Sequence, residues 1–257
     1  MEVKLRPFEQ FAFYYDSFMT EVVNYKQWIN YILEIWRREK KEVKTVLDLA
    51  CGTGIPTFLL LEKGYAVTGL DSSPEMLSVL KKKLGKRNWV EGKLKIVLAD
   101  MKNFRLVEKF DAVVSLYDSI NYLLTEEDLK SCFHSVFFAL KEGGIFTFDI
   151  NTIFCLEEIW DNQSFWRESK ELLTFWQNEY DKEKRISTLY LKCWVKGPNR
   201  TYLATFEETH QERGYELEKI RELLKAVGFS EVKFYHHLTF EKPYPETSRV
   251  MVVAIKR

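Results

Sequence analysis

Three aspartates stand at or near the ends of short apolar runs, and their neighbours suit the binding of a nucleoside. The first is Asp48, in Thr45-Val46-Leu47-Asp48-Leu49-Ala50-Cys51-Gly52-Thr53-Gly54; the others are Asp71 and Asp100. Gly52 and Gly54, one residue apart, mark a turn where main chain can approach a ligand that any side chain would strike. Asp71 lies roughly 20 residues past that turn, where the two oxygens of one carboxylate can accept both hydroxyls of a ribose. Asp100, followed by the N–H of Met101, can pair with the exocyclic amine and a ring nitrogen of adenine. The order Asp48-x-Ala50-x-Gly52-x-Gly54 is not the G-x-G-x-x-G that seats a pyrophosphate on a helix N-terminus, which points away from NAD.

Positioning these groups requires alternating strands and helices. Residues 45–49 read as a buried strand and residues 55–62 as a helix, with Pro56 in its first turn and Gly64 past its end. A second strand (66–70) runs into Asp71. Ser73 then caps a helix from Pro74 to about Leu84, and residues 85–92 form a loop. Strands follow at 94–99 and 110–116, the latter apolar on both faces as a central parallel strand should be. The segment from Tyr117 to Leu123 sits where strand ends open toward a ligand. A helix begins at Thr125, with Thr-x-x-Asp as a capping box, and the Gly143-Gly144 pair ends it before a strand at 145–150.

From about residue 152 to 213 the pattern becomes strands alone, with alternating runs at 172–176, 185–195 and 200–206, the last two joined by Gly197-Pro198-Asn199. This reads as an antiparallel insertion laid over the open end of the main sheet. An amphipathic helix (215–227, with Gly228 at its end) and two closing strands complete the chain. The expected organisation is residues 1–42 as an N-terminal helical cap, 43–151 and 214–257 as the nucleoside-binding domain, and 152–213 as a lid.

Together, the glycine turn, Asp71 and Asp100-Met101 resemble the ordered motifs of the class I S-adenosylmethionine-dependent methyltransferases, with Ala50 in place of the family's first glycine. The resemblance implies an α/β fold with a Rossmann-like, doubly wound, seven-stranded sheet, and S-adenosyl-L-methionine as cofactor. It implies a cofactor site of Asp48, Ala50, Gly52, Gly54, Asp71, Ser72, Met76, Asp100, Met101 and Leu116, with Met76 against one face of the adenine. Phe8-x-x-Phe11-Ala12-x-x-Tyr15-Asp16, followed by Tyr25-Lys26-x-Trp28, is similar to the cap of small-molecule N-methyltransferases, among them glycine/sarcosine N-methyltransferases and sugar-amine N,N-dimethyltransferases. That cap implies Tyr15 and Trp28 near the cofactor. Residues 206–213 resemble the stretch facing the acceptor pocket of the sugar-amine enzymes and bring in His210; Arg213 is read either as a ligand for a substrate carboxylate or phosphate or as a solvated arginine, the commoner outcome.

Methyl transfer from a sulfonium is an in-line displacement, so alignment should supply most of the acceleration, about 7–11 kcal/mol when reacting atoms are pre-positioned. A neutral amine needs no strong base. Tyr15, Tyr117, Asp118, Asn121, Tyr122 and His210 are the polar groups expected around the acceptor, with Tyr122, His210 and Tyr15 as catalytic candidates. An amine nitrogen is the preferred target. An O-methyltransferase, an RNA methyltransferase and a non-catalytic binder of the cofactor are the alternatives.

Composition narrows the partners. Lys plus Arg equals Asp plus Glu at 38 each, with no basic stretch to track phosphates, so nucleic acid is not favoured. The 257 residues include no apolar run near the roughly 18 needed to span a bilayer and begin with no signal-peptide layout, so a cytoplasmic protein with a small-molecule acceptor is expected. The four cysteines lack a C-x-x-C pair, which argues against a zinc site or a disulfide framework.

Overall fold

The computed structural model describes residues 5–85 and 92–257. The aromatic N-terminal stretch forms a short 3-10 turn (Phe11–Phe13) and then α1 (Tyr15–Met19), rather than one continuous helix. At its start the backbone N–H groups of Phe8, Gln10 and Phe11 are all bonded to the Glu208 carboxylate, 2.7–2.8 Å away. α2 (Tyr25–Arg38) follows, capped by Asn24, whose side chain accepts from the Gln27 N–H at 3.2 Å.

The alternating unit is then β1 (Thr45–Leu49), α3 (Ile55–Glu62), β2 (Ala66–Asp71), α4 (Pro74–Leu84), β3 (Leu94–Leu98), β4 (Phe110–Ser115), α5 (Glu126–Ala139) and β5 (Leu140–Asn151). Ser73 caps α4, accepting from Met76 N–H at 3.1 Å, and Thr125 caps α5, accepting from Asp128 N–H at 3.0 Å. Of the loop expected at 85–92, residues 86–91 lie outside the described residues. The glycine pair does not end α5 as the sequence suggested. The helix stops at Ala139, Leu140 already pairs with Phe110, and Gly143 (φ +76°) and Gly144 occupy a break in register before Ile145 pairs with Ala112.

The insertion starts with one π-helical stretch (Cys155–Trp160), which strand periodicity did not reveal, and continues as β6 (Ser164–Glu168), β7 (Leu172–Asp181), β8 (Ile186–Lys196) and β9 (Tyr202–Arg213). α6 (Leu217–Val227), β10 (Glu231–His236) and β11 (Arg249–Ile255) close the chain.

Seven strands make the main sheet in the order β10-β11-β5-β4-β1-β2-β3, with β11 antiparallel to both its neighbours and the others parallel to one another. The order reverses direction between β1 and β4, and ligands bind where such a reversal opens a crevice at the carboxyl ends of strands. Apolar layers fill both faces: Phe133, Phe146 and Phe148 with α5 and α6 on one, Ile29, Ile32 and Leu60 with α2 and α3 on the other. The lid is a separate antiparallel sheet, β6-β7-β8-β9. A third cluster, Phe11 and Phe18 against Leu172, Leu191 and Cys193, joins cap to lid. Among the described residues no helix is long and apolar enough to cross a membrane.

Candidate active site

Cap, strand tips and lid enclose a cavity of about 1070 Å³. The tips of β1, β2 and β4 and the residues just beyond β3 reach it from below, and the inner face of the lid covers it. Because strand neighbours alternate faces, Glu208, His210 and Glu212 of β9 share one side of the lid with Ser187, Leu189 and Leu191 of β8, their cross-strand partners.

Ala50, Gly52, Asp71, Ser72, Met76, Asp100, Met101 and Leu116 all line the cavity. The Asp71 carboxylate ties two strand tips together, accepting Gly52 N–H at 2.7 Å on one oxygen and Ser73 N–H at 2.8 Å on the other. Burial pushes its pKa up against these donors. Gly52 has φ +54°, and a Cβ built there meets only Met76 Sδ at 3.8 Å, so the space beside its backbone is open to the cavity. Asp100 uses one oxygen to accept Lys102 N–H at 2.8 Å. An open backbone cradle, a carboxylate at the second tip, a thioether and a second carboxylate beside a main-chain N–H form a donor and acceptor set that fits an adenosyl group.

Three residues expected to hold the cofactor do not line the cavity. Asp48 is buried beneath the turn, where it accepts the Thr57 hydroxyl of α3 and burial pushes its pKa up to about 7. Gly54 (φ +81°) packs on α4: a Cβ there would lie 2.7 Å from Leu80, so its glycine serves helix packing. Trp28 lies one layer back, stacked on the cavity-lining Tyr117 at 4.8 Å between ring centres. Asn121, expected near the acceptor, is instead a buried staple. It donates to the carbonyls of Asn151 (3.0 Å) and Arg213 (2.9 Å) and accepts Asn151 N–H (3.0 Å). Arg213 turns away to the Leu124 carbonyl at 2.9 Å.

At the acceptor end Tyr15, Tyr117, Asp118, Tyr122 and His210 do converge on the cavity. The Tyr122 hydroxyl is 3.0 Å from His210 Nδ1, and His210 Nε2 is 3.2 Å from Glu208. Burial raises the Glu208 pKa, but His210 and the amides of Phe11 and Gln10 outweigh it, so the net shift is downward and the group is a carboxylate. A carboxylate only accepts, so Nε2 donates to Glu208, and in the neutral imidazole Nδ1 is the nitrogen left to accept the Tyr122 hydroxyl. Burial, then Glu212, Asp118 and Glu208, push the Tyr122 pKa well above its ordinary value, so the phenol is neutral. Phe8 sets its ring edge-on to His210 at 4.8 Å.

Sequence reasoning missed the buried charges behind this end. Asp149 accepts the Tyr117 and Asp118 N–H groups at 2.7 and 2.9 Å, which secures two successive residues at positive φ. Arg249 pairs with Asp118 at 2.8 Å and with Asp149. Burial alone would lower its pKa; the two carboxylates push it up instead. Glu212 accepts Asn151 Nδ2 at 2.7 Å, and its pKa is pushed well up, by burial and then Asp118. One signal was available: Glu208, His210 and Glu212 recur with period two inside a strand, the mark of a polar inner face. Arg249 left none.

A methyltransferase-domain family matches residues 46–144, the first four strands and the start of the fifth. The chain is 32% identical to a Bacillus subtilis (strain 168) protein named as methyltransferase YqeM, over 97% of each chain. A crystal structure of an S-adenosylmethionine-dependent methyltransferase from Clostridium acetobutylicum ATCC 824 superposes with a TM-score of 0.85 at 30% identity, covering 97% of this chain and 98% of that one. Over 44% of this chain and 45% of the other, it is 34% identical to the dTDP-3-amino-3,4,6-trideoxy-alpha-D-glucopyranose N,N-dimethyltransferase of Streptomyces venezuelae. Similarity along nearly the full length shows that this chain belongs to the S-adenosylmethionine-dependent methyltransferases.

Proposed function

We propose that the enzyme methylates the nitrogen of a small-molecule amine, with residues 1–42 as cap, 43–151 and 214–257 as the cofactor domain and 152–213 as the acceptor lid. The observation that carries this reading is the Tyr122–His210–Glu208 chain, in which the phenol lining the cavity is neutral. Ala50, Gly52, Asp71, Ser72, Met76, Asp100, Met101 and Leu116 are the residues that would hold the cofactor. Bound S-adenosylmethionine supplies an electrophilic sulfonium methyl.

A neutral phenol accepts an amine N–H and aims the lone pair, whereas stripping a proton from an alcohol calls for a firmer base. The proton that the nitrogen sheds can pass from Tyr122 toward His210, with Glu208 stabilising the imidazolium. Asp118 and Glu212, with the rings of Tyr15 and Phe8, surround the acceptor end with acceptors and aromatic faces suited to a nitrogen that gains positive charge. The named activity of the Streptomyces venezuelae relative, dimethylation of an amino sugar, supports the same target.

The test is a panel of amines, alcohols and carboxylic acids incubated with methyl-labelled cofactor. Label should enter amines, with kcat/KM rising as the acceptor's ammonium deprotonates. Label confined to alcohols or acids would overturn the reading. Tyr122→Phe should lower kcat by about 100-fold, in line with loss of one positioned proton-transfer group, while calorimetric cofactor affinity holds.

A further inference from the structure

Four of the side chains lining the cavity are cationic by nature, and three of them are neutralised within the protein. Arg6 pairs with Glu9 at 3.5 Å and Glu75 at 4.0 Å, Lys102 with Asp128 at 3.3 Å, and Arg249 with Asp118 and Asp149. The fourth is Arg167 of β6. Among the described residues its guanidinium makes no hydrogen bond and no ion pair; it lies over the Phe18 ring, 4.3 Å from the centre. Burial pulls its pKa down and outweighs the opposing influence of the more distant Glu21 carboxylate and of Tyr117.

The surroundings tell the same way. Arg167 and Phe165 share one face of β6, and Phe165 stacks on Trp176 of β7 at 5.9 Å, so the guanidinium stands at the end of an aromatic wall. Farther along the inner face, Asn178 and Ser187 are buried and line the cavity, yet their side chains make no hydrogen bond among the described residues. Their polar atoms are open to the cavity and free to meet a polar ligand there.

We propose that Arg167 is the anion-binding residue of the acceptor site, and that the acceptor is an amine carrying a carboxylate or phosphate group at some distance from the nitrogen. This rests on the amine reading above. β6 and β9 are the two edges of the lid sheet, about 14 Å apart across the strands. In register Arg167 stands opposite Thr174, Cys193 and Phe206, four residues short of His210 along β9, so the two backbone positions are roughly 20 Å apart. The long arginine side chain and Tyr122 shorten that span, so nitrogen and anion should stand on the order of 10–15 Å apart. The guanidinium fork matches both oxyanions in geometry, and a bidentate contact with either is charge-assisted.

The experiment uses linear ω-amino carboxylates and ω-aminoalkyl phosphates of increasing chain length, each beside the uncharged alkylamine of equal length. Wild-type enzyme, Arg167→Gln and Arg167→Lys are compared, and binding of the same compounds to the cofactor-loaded enzyme is measured by calorimetry. The wild type should favour anionic amines over their uncharged partners at least tenfold in kcat/KM, with an optimum chain length. Arg167→Gln should erase that preference mainly through KM, Arg167→Lys should restore part of it, and the stronger of the carboxylate and phosphate series identifies the anion. Equal kcat/KM for charged and uncharged amines, or a preference that survives Arg167→Gln, would overturn the assignment. If no amine is methylated, the amine reading fails and calorimetry still decides: binding of the anionic compounds that weakens tenfold in Arg167→Gln supports the site, and equal or absent binding in the wild type refutes it. A variant that misfolds shows as lost cofactor affinity, and Arg167→Lys then carries the comparison.

Discussion

Ala50 occupies the first position of the cofactor turn at φ +58°, in the left-handed region that favours glycine. The backbone keeps the shape although the residue does not suit it, at a cost of about 1–2 kcal/mol for an L side chain. Ala50→Gly should therefore raise stability by about 0.5–1 kcal/mol in denaturant unfolding, once glycine's greater chain entropy is subtracted. Asp48 offers a second test. Its folded pKa of about 7 lies above the ordinary 3.8, so the folded chain holds a proton the unfolded chain has released between those values. Its contribution is fully present below pH 4 and is lost as pH rises toward 7, a slope worth on the order of a few kcal/mol. Asp48→Asn should flatten that part of the stability profile, read from melts at pH 4 to 8.

At the scale of elements, one carboxylate ties the cap to the lid beside their shared aromatic cluster. Glu208 Oε1 accepts Gln10 and Phe11 N–H, and Oε2 accepts Phe8 N–H and His210, which fills the carboxylate's four acceptor sites. The group that orients His210 thus also places Phe8 over the cavity. Glu208→Gln keeps the size but turns an NH2 toward donors, leaving buried N–H groups unpaired at about 1–3 kcal/mol each. The expected result is a destabilised enzyme in which amides of residues 8, 10 and 11 exchange with solvent far faster than those of β1 to β5. Unchanged exchange at these amides would show that the aromatic cluster of Phe11 and Phe18 alone retains the cap.

For the whole molecule, Arg249 joins what the chain separates. It starts β11, yet its partners are Asp118 beyond β4 and Asp149 in β5, and its guanidinium lies 5.5 Å from the ring centre of Trp28 in α2. Removing one member of such a group leaves buried charge uncompensated, typically 3–5 kcal/mol. Arg249→Ala should lower the unfolding free energy by about that much in denaturant melts, and should release Tyr117 and Asp118 from their left-handed conformations. Its effect should therefore reach acceptor turnover as well as stability, since Arg249 lines the cavity beside Tyr117.

The amino-acid order by itself determined the alternation of strands and helices and the caps at Ser73 and Thr125, and it marked the residues proposed to hold the cofactor, because each rests on local signals: period, turn residues, and a carboxylate a set distance beyond a glycine turn. It also drew Asp48, Gly54 and Trp28 into that site, since a motif records which residues recur together and not which of them touch a ligand. Only the tertiary structure decided that Glu208 reaches back across 200 positions to the cap, that Arg249 binds Asp118 and Asp149, and that Arg167 lies over the Phe18 ring with no ion pair among the described residues. Charge pairing between distant segments has no period and no fixed spacing. It exists once the chain has closed on itself, and the acceptor end of this enzyme is built from it.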